Sequence, residues 1–271
     1  MHIFPQWIDE AIELRKNGLS YAKIGELLNA DRKKVSFYLQ EKGYGPSKTY
    51  KKAKKVNQPN KKAINENVFE KIDTEEKAYW LGFMYADGCV NRTSNRIELS
   101  LKEEDYDHIV KFKTFLESEH TIGKKSKTIK DKTYISYRLG ITNKKLKNDL
   151  IKHGCVPNKT KVLKFPKLNK RFIKHFIRGY LDGDGCITYH ATSKISLEIL
   201  GTEDFLRAIL NYYKFPSDKY IYTFKHSDIK RLILSGDKAF KVINNLYEDS
   251  NIYLDRKFNL YNKFAPLFRD K

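Results

Sequence analysis

Cysteine is scarce in this sequence. Cys89, Cys155 and Cys186 are the only three in 271 residues, and no two of them form a Cys-x-x-Cys pair. This argues against a disulfide framework or a zinc cluster, and a reducing compartment is expected. Long apolar runs are missing too: no stretch of 18 apolar residues occurs, so no membrane-spanning helix is expected. Asp9 and Glu10 stand directly behind a short apolar patch at the N-terminus, unlike a signal peptide, and a cytoplasmic location is expected. Acids are few against bases, 33 Asp and Glu facing 53 Lys and Arg, for a formal net charge of +20. That excess points to a polyanionic partner, most commonly nucleic acid. A membrane surface is the competing partner, but no long Lys-faced amphipathic helix supports it.

What is present is a pair of related stretches, Trp80-Leu81-Gly82-Phe83-Met84-Tyr85-Ala86-Asp87-Gly88 and Ile177-Arg178-Gly179-Tyr180-Leu181-Asp182-Gly183-Asp184-Gly185. Each reads as an apolar helix with a glycine in its middle and an Asp-Gly at its end. A mid-helix glycine costs about 1 kcal/mol relative to alanine, so its recurrence asks for a reason, and close backbone contact supplies one. Gly82 and Ala86 are four apart, as are Gly179 and Gly183, which leaves a bare stripe on each helix. Packing stripe on stripe would bring Asp87 and Asp184 together, with Gly88 and Gly185 as left-handed terminators. The plain alternative is two buried helices whose aspartates merely cap them. A duplicated helix delivering one acid per copy resembles the LAGLIDADG homing endonucleases in their single-chain, two-motif form. The resemblance covers about residues 68–263. Cys89 and Cys186, each following an Asp-Gly, read as equivalent core positions.

Outside that span, residues 1–42 read as a small all-α, helix-turn-helix-like DNA-binding domain. Ser20 caps one helix, Ile24, Leu27 and Leu28 form its inner face, and Gly25 is small where a second helix crosses. Asn29 suits a left-handed turn. The second helix would offer Arg32, Lys33, Ser36 and Phe37 to the major groove, with Lys34 near the backbone. Residues 43–67 carry seven lysines and no acid between Gly43 and Asn65, and read as a basic linker.

The remainder divides into two repeats, 68–165 and 166–271. In the first, a helix from about Thr74, capped by Asp73, is followed by two strands. In the second of these, Ile97, Leu99 and Leu101 alternate with Arg96, Glu98, Ser100 and Lys102. A helix over 104–118, a hairpin at Lys130-Asp131-Lys132 and a helix over 143–153 complete the repeat. The second repeat follows the same order, with helices over 170–183, 202–213 and 237–247 and a hairpin at 226–228. The expected fold class is therefore α+β: two pseudo-symmetric αββαββα repeats forming a saddle of antiparallel sheets over double-stranded DNA. Arg96, Glu98, Ser100, Lys102, Tyr134, Ser136 and Arg138 in one half, and Lys194, Ser196, Glu198 and Arg231 in the other, should face the duplex.

Two apposed carboxylates repel one another, and a divalent cation removes the conflict; all-oxygen ligation suits Mg²⁺, with Mn²⁺ as a substitute. Asp87 and Asp184 would be the shared metal ligands, and the resemblance adds the backbone carbonyls of Ala86 and Gly183. Lys159 lies 72 positions past Asp87, and Lys257 lies 73 past Asp184. That near-equality selects them from a lysine-rich chain, with Lys161 and Arg256 in reserve. In the family, lysines so placed organise water and transition-state charge. No His-Asn-His cluster, Gly-Ile-Tyr module or Gly-Lys-Ser/Thr phosphate loop competes. The expected function is a monomeric, Mg²⁺-dependent, site-specific endonuclease cutting both strands. Intron homing is implied by the resemblance, and a free-standing or intron-encoded protein fits better than an intein. A non-cleaving DNA-binding regulator or RNA-splicing maturase on the same fold is the rival.

Overall fold

The computed structural model describes residues 4–45, 62–190, 193–216, 219–224 and 227–269. The chain forms two compact units, divided between residues 61 and 62.

The first unit holds three short helices: α1 (Ile8–Lys16), α2 (Tyr21–Leu27) and α3 (Arg32–Glu41). The Ser20 hydroxyl accepts a hydrogen bond from the Lys23 N–H at the start of α2, and the Asp31 carboxylate accepts from the N–H groups of Lys33 and Lys34 at the start of α3. Between them Asn29 takes the left-handed conformation, φ 49°. Ile8, Ala11, Ile24, Val35 and Leu39 form the core of this unit. Leu27, placed on the inner face by its sequence, is 55% exposed. Leu28, four residues from Ile24, packs against the core in its stead.

The second unit opens by tying residues 62–67, assigned above to the linker, into place. The Asn65 N–H donates to the Leu116 carbonyl at 2.9 Å and the Glu119 N–H to that of Ala63 at 3.0 Å. Helix α4 (Glu75–Ala86) follows; its cap is Thr74, whose hydroxyl accepts from the Lys77 N–H. Asp73, expected in that role, pairs instead with the Lys77 ammonium at 2.7 Å. Next come β1 (Gly88–Val90), β2 (Arg96–Lys102), α5 (Tyr106–Phe115), β3 (Gly123–Ile129), β4 (Lys132–Thr142) and α6 (Lys144–Lys152). Helix α5 is shorter than expected: a 3₁₀ turn at 103–105 precedes it, and Glu117 turns left-handed at φ 47° beyond it. The expected hairpin is present, with Lys130 and Asp131 both at positive φ as a two-residue primed turn requires.

The second repeat has the same order: α7 (Lys170–Asp184), β5 (Cys186–His190), β6 (Ser193–Gly201), α8 (Glu203–Tyr212), β7 (Ile221–Thr223), β8 (Lys230–Ser235) and α9 (Asp237–Tyr247). Its hairpin turn, expected at 226–228, lies partly outside the described residues. Two helices not foreseen from the sequence follow, α10 (Asp255–Phe264) and α11 (Pro266–Arg269). Each repeat contributes one antiparallel four-stranded sheet, ordered β1-β2-β4-β3 and β5-β6-β8-β7. Buried residues of both repeats belong to one continuous apolar core. The fold is thus α+β and duplicated. No helix among the described residues is long and apolar enough to cross a membrane.

Helices α4 and α7 hold the two repeats together, and their glycines explain how. A Cβ on Gly82 would lie 2.9 Å from the Tyr180 nitrogen and closer still to the Phe176 carbonyl oxygen; one on Gly179 would lie 2.9 Å from the Phe83 nitrogen and closer still to the Tyr79 carbonyl oxygen. The two backbones therefore touch directly. At the opposite end of the pair from the acids, the fully buried Arg178 guanidinium donates to Glu75 at 2.6 Å and to the carbonyls of Leu246 and Ile252. This salt bridge links α7 to the first turn of α4.

Gly88 and Gly185 depart from expectation. Neither is left-handed; Gly185 is extended at φ −88°, ψ 161°. A Cβ at Gly88 would approach the Met84 carbonyl oxygen to 2.5 Å, and one at Gly185 that of Leu181 to 2.7 Å. Glycine serves here because the chain leaves the helix straight into a strand that hugs its last turn.

Candidate active site at the paired helix ends

The backbone contact that joins α4 and α7 brings their C-termini together. Asp87 caps α4 and Asp184 is the last residue of α7. A Cβ on Gly183 would collide with the Ala86 Cβ and lie 3.3 Å from the Asp87 Oδ2, so the bare glycine lets the two helix ends close together. Burial, reinforced by the Asp184 charge and only partly offset by Lys257 and Lys159, pushes the Asp87 carboxyl up to about 6. Burial raises Asp184 as well, against the pull of the same two lysines. Two partly buried acids in one place are a standing electrostatic conflict.

Lys159 and Lys257 meet equivalent atoms. The Lys159 ammonium donates to the Gly88 carbonyl and the Lys257 ammonium to that of Gly185 at 2.5 Å, each the residue just after its own aspartate. Lys257 also donates to the carbonyls of Leu181 at 2.5 Å and Asp182 at 2.8 Å, so all three of its hydrogens are engaged. It thereby satisfies the Asp182 carbonyl in the last turn of α7, shares that of Leu181 with the Gly185 N–H, and sits at the negative pole of that helix. Only 4% of Lys257 is exposed, and burial lowers its ammonium to about 8, opposed by the Asp182 charge. Lys159, by contrast, sits on a single 3₁₀ turn after the left-handed Asn158. Together with Tyr85, Ala86, Tyr180, Asp184 and Leu200 it lines a cleft of about 350 Å³. The reserve candidates point elsewhere: Lys161 pairs with Asp228 at 3.2 Å and Arg256 with Asp105 at 3.0 Å.

Sequence reading passed over Asp182. It is fully buried, and accepts hydrogen bonds from the hydroxyls of Tyr79 at 2.7 Å and Tyr247 at 2.5 Å and from the Leu254 N–H at 2.8 Å. The available signal was a second acid in the Leu-Asp-Gly-Asp-Gly motif where the first motif has Tyr85.

On the first sheet, strand register gathers the expected readers on one face. Ser100 pairs with Arg138 and Lys102 with Ser136, while Ile97, Leu99 and Leu101 are buried on the other side. The Arg96 guanidinium donates to Glu98 at 3.1 Å, and Arg138 lies 3.7 Å from the same carboxylate. Tyr134 is exposed. Register adds two lysines the sequence reading did not name: Lys125 pairs with Ser136 and Lys127 with Tyr134 on the fully exposed β3. The second sheet repeats part of this pattern, with Arg231 3.6 Å from Glu198 and the Ser196 hydroxyl donating to the Leu234 carbonyl. The Lys194 side chain lies outside the described residues.

Cys89 and Cys186 are exposed, contrary to the core assignment. Cys89 pairs with Glu98 and Cys186 with Glu198, which puts both on the polar faces of their sheets. Cys155 is the buried cysteine, donating to the Met84 carbonyl. Within the first unit, Arg32, Lys33 and Lys34 are exposed along the first turn of α3, whereas Ser36 is half-buried and accepts from Gln40.

No family model matches this sequence, and no curated protein matches it. Among solved structures, the chain is similar to the meganuclease I-SmaMI bound to uncleavable DNA, at 12% identity over 71% of this chain and 91% of that one, with a TM-score of 0.47. It is similar to the I-LtrWI LAGLIDADG homing endonuclease bound to target DNA, at 13% identity over 76% and 91% of the two chains, TM-score 0.45. It is similar also to the LAGLIDADG meganuclease I-AabMI bound to uncleaved DNA, at 13% identity over 70% and 88%, TM-score 0.43. These three structures are of meganucleases and LAGLIDADG homing endonucleases, each bound to DNA.

Proposed function

We propose that this chain is a site-specific, divalent-metal-dependent DNA endonuclease of the LAGLIDADG type that cuts both strands of a duplex at Asp87 and Asp184. One observation carries the reading. Two acids from two repeats are held together, against their own repulsion, by helices in backbone contact. A fold that maintains such a conflict gains nothing in stability from it, and buried acids held above their ordinary pKa beside a cleft mark functional sites.

The donor set fits an oxygen-loving cation. Asp87 and Asp184 would supply carboxylates, and the family resemblance adds the backbone carbonyls of Ala86 and Gly183. Substrate phosphate and water would complete the set, as suits Mg²⁺, with Mn²⁺ as substitute. When bound, the cation supplies charge neutralisation at the phosphate and a lowered pKa for water. The protein does the rest. Lys159, lining the cleft, places positive charge beside the phosphate being cut. Lys257 holds the end of α7, and with it Asp184, in register. The polar sheet faces orient the duplex through Arg96, Ser100, Lys102, Lys125, Lys127, Tyr134, Ser136 and Arg138 in one half and Ser196, Glu198 and Arg231 in the other. Glu98, bracketed by two arginines, fixes their directions.

The first unit adds DNA contacts through Arg32, Lys33 and Lys34 in a helix-turn-helix mode. Each phosphate neutralised contributes about 0.9 to the salt slope of binding. Replacing the three together by glutamine should flatten log K against log salt by up to about 2 to 3, and an unchanged slope would remove this unit from the DNA.

The function itself is tested by cutting a randomised plasmid library in Mg²⁺ with wild type, Asp87→Asn and Asp184→Asn. Linearisation of a sequence-defined subset by wild type alone is the expected result. Retention of one DNA sequence by all three proteins without cleavage would instead identify a binding protein on a nuclease fold, and sequence-specific retention of RNA alone would favour a maturase.

A further inference from the structure

The two halves of the site are built differently, and the difference centres on Asp182. In the first repeat the corresponding position is Tyr85, whose hydroxyl donates to the His153 carbonyl at 2.6 Å, and Lys159 is held by the Gly88 carbonyl on one 3₁₀ turn. In the second repeat the Asp182 carboxylate binds the Leu254 N–H, which sits at the start of α10, while its own carbonyl accepts from Lys257 three residues further on. Asp182 thus grips Lys257 from both sides, through the backbone that carries it and through its ammonium. Its remaining partners reach across the molecule. Tyr247 ends α9, and Tyr79 belongs to α4 of the other repeat. Because the Tyr79 hydroxyl spends its proton on Asp182, it accepts from His108, 2.9 Å away, which places the imidazole proton on Nε2 and leaves Nδ1 bare. The whole path is buried: Tyr79, His108, Tyr247 and Leu254 are all within the protein interior.

We propose that Asp182 is a positioning residue for one of the two strand cuts: it fixes Lys257 and the last turn of α7, and no acid performs this task in the first repeat. The inference rests on the two-strand endonuclease reading above. Asparagine at 182 is nearly isosteric and still offers one oxygen to Leu254 and Tyr79, but it turns an N–H₂ toward the Tyr247 hydroxyl and withdraws the negative charge beside the Lys257 ammonium. Lys257 would keep its three carbonyl partners but lose the neighbouring charge that balances its buried ammonium, and small displacements of this kind are costly in a pre-organised site.

The test uses the full chain, a supercoiled plasmid carrying a site recovered from the library, Mg²⁺ and single-turnover conditions, with each strand end-labelled separately. For Asp182→Asn the expected result is accumulation of nicked circles. One strand is cut about 10-fold or more slowly, the other within about 2-fold of wild type, and DNA affinity is unchanged on a filter. A purely structural role would slow both strands alike, and that result, or no change in either, overturns the proposal. Should Asp182→Asn not fold, Tyr247→Phe and Tyr79→Phe each remove a single hydrogen bond to the same carboxylate and should show the same strand bias to a smaller degree; its absence in both overturns the proposal. Failure of wild type itself to cut any DNA is a different result, which removes the endonuclease reading and this inference with it.

Discussion

Asp87→Asn should abolish cleavage and, in the absence of divalent metal, make the protein more stable than wild type at pH 8. The Asp87 carboxyl titrates at about 6 in the folded protein against an ordinary 3.8, because it is buried and faces Asp184. A raised carboxylate pKa means that the folded state binds the proton more tightly than the unfolded chain does. Above pH 6 the ionised acid therefore lowers stability by its full amount, about 3 kcal/mol for a shift of this size. Between pH 6 and pH 4 the penalty disappears as the acid protonates. Asparagine removes the charge and most of the penalty, so the metal-free thermal midpoint at pH 8 should rise by roughly 5–10 °C, with a smaller difference at pH 4.5. Adding Mg²⁺ should stabilise wild type and not the variant, since a cation that binds only the folded state shifts unfolding by mass action. Differential scanning calorimetry of both proteins at the two pH values, with and without metal, reads all of these. A variant no more stable than wild type at pH 8 would mean that the acids are not in conflict, and the account of the site would fall.

The second large effect is expected at Gly179. A methyl there would be driven into the Tyr79 carbonyl and would lie 2.8 Å from its carbon and 2.9 Å from the Phe83 nitrogen. These are backbone atoms of α4, which cannot rotate aside as a side chain can. The helices would have to separate by about 1 Å, across the closest backbone contact between the repeats. Overpacking of a core typically costs about 1–3 kcal/mol; with rigid backbone on both sides, about 3 kcal/mol or more is expected for Gly179→Ala, together with loss of cleavage as Asp87 and Asp184 part. Gly123→Ala is the control, because on exposed β3 the added methyl would meet only the Arg138 carbonyl oxygen at 3.9 Å. Denaturant unfolding should leave that variant within about 0.5 kcal/mol of wild type. Equal stabilities of the two variants would show that α4 and α7 do not cross at these glycines.

What was legible beforehand was what depends on local spacing. The glycines four residues from small partners announced a close helix crossing, because a helix repeats every 3.6 residues and a bare stripe has few other uses. Alternation in 96–102 announced a half-buried strand, and Lys130-Asp131 a hairpin turn. The duplication itself followed from the recurrence of the two motifs, and the near-equal offsets of Lys159 and Lys257 from their aspartates identified the lysines that meet equivalent carbonyls. The ordinary value of each group was also known, though not the direction in which its surroundings would move it.

The remainder was decided by contacts between residues far apart in sequence. Asp182 is one of several aspartates in the chain until Tyr79 comes from 103 positions before it and Leu254 from 72 after it. Whether a lysine is catalytic, positioning or merely solvated depends on which carbonyls surround its ammonium, and Lys257 found three. The cysteines following the two Asp-Gly pairs read as core because they hold equivalent places in the two repeats. The registers Gly88 with Leu99 and Cys186 with Glu198 settle the parity, and parity determines face. Lys125 and Lys127 joined the polar face for the same reason. Periodicity and backbone sterics alone announced the repeated elements, their duplication and the close helix crossing, though not the C-terminal α10 and α11. How each charge is partnered and which way each strand faces emerged with the fold, since those depend on register and on long-range hydrogen bonds that no local pattern encodes.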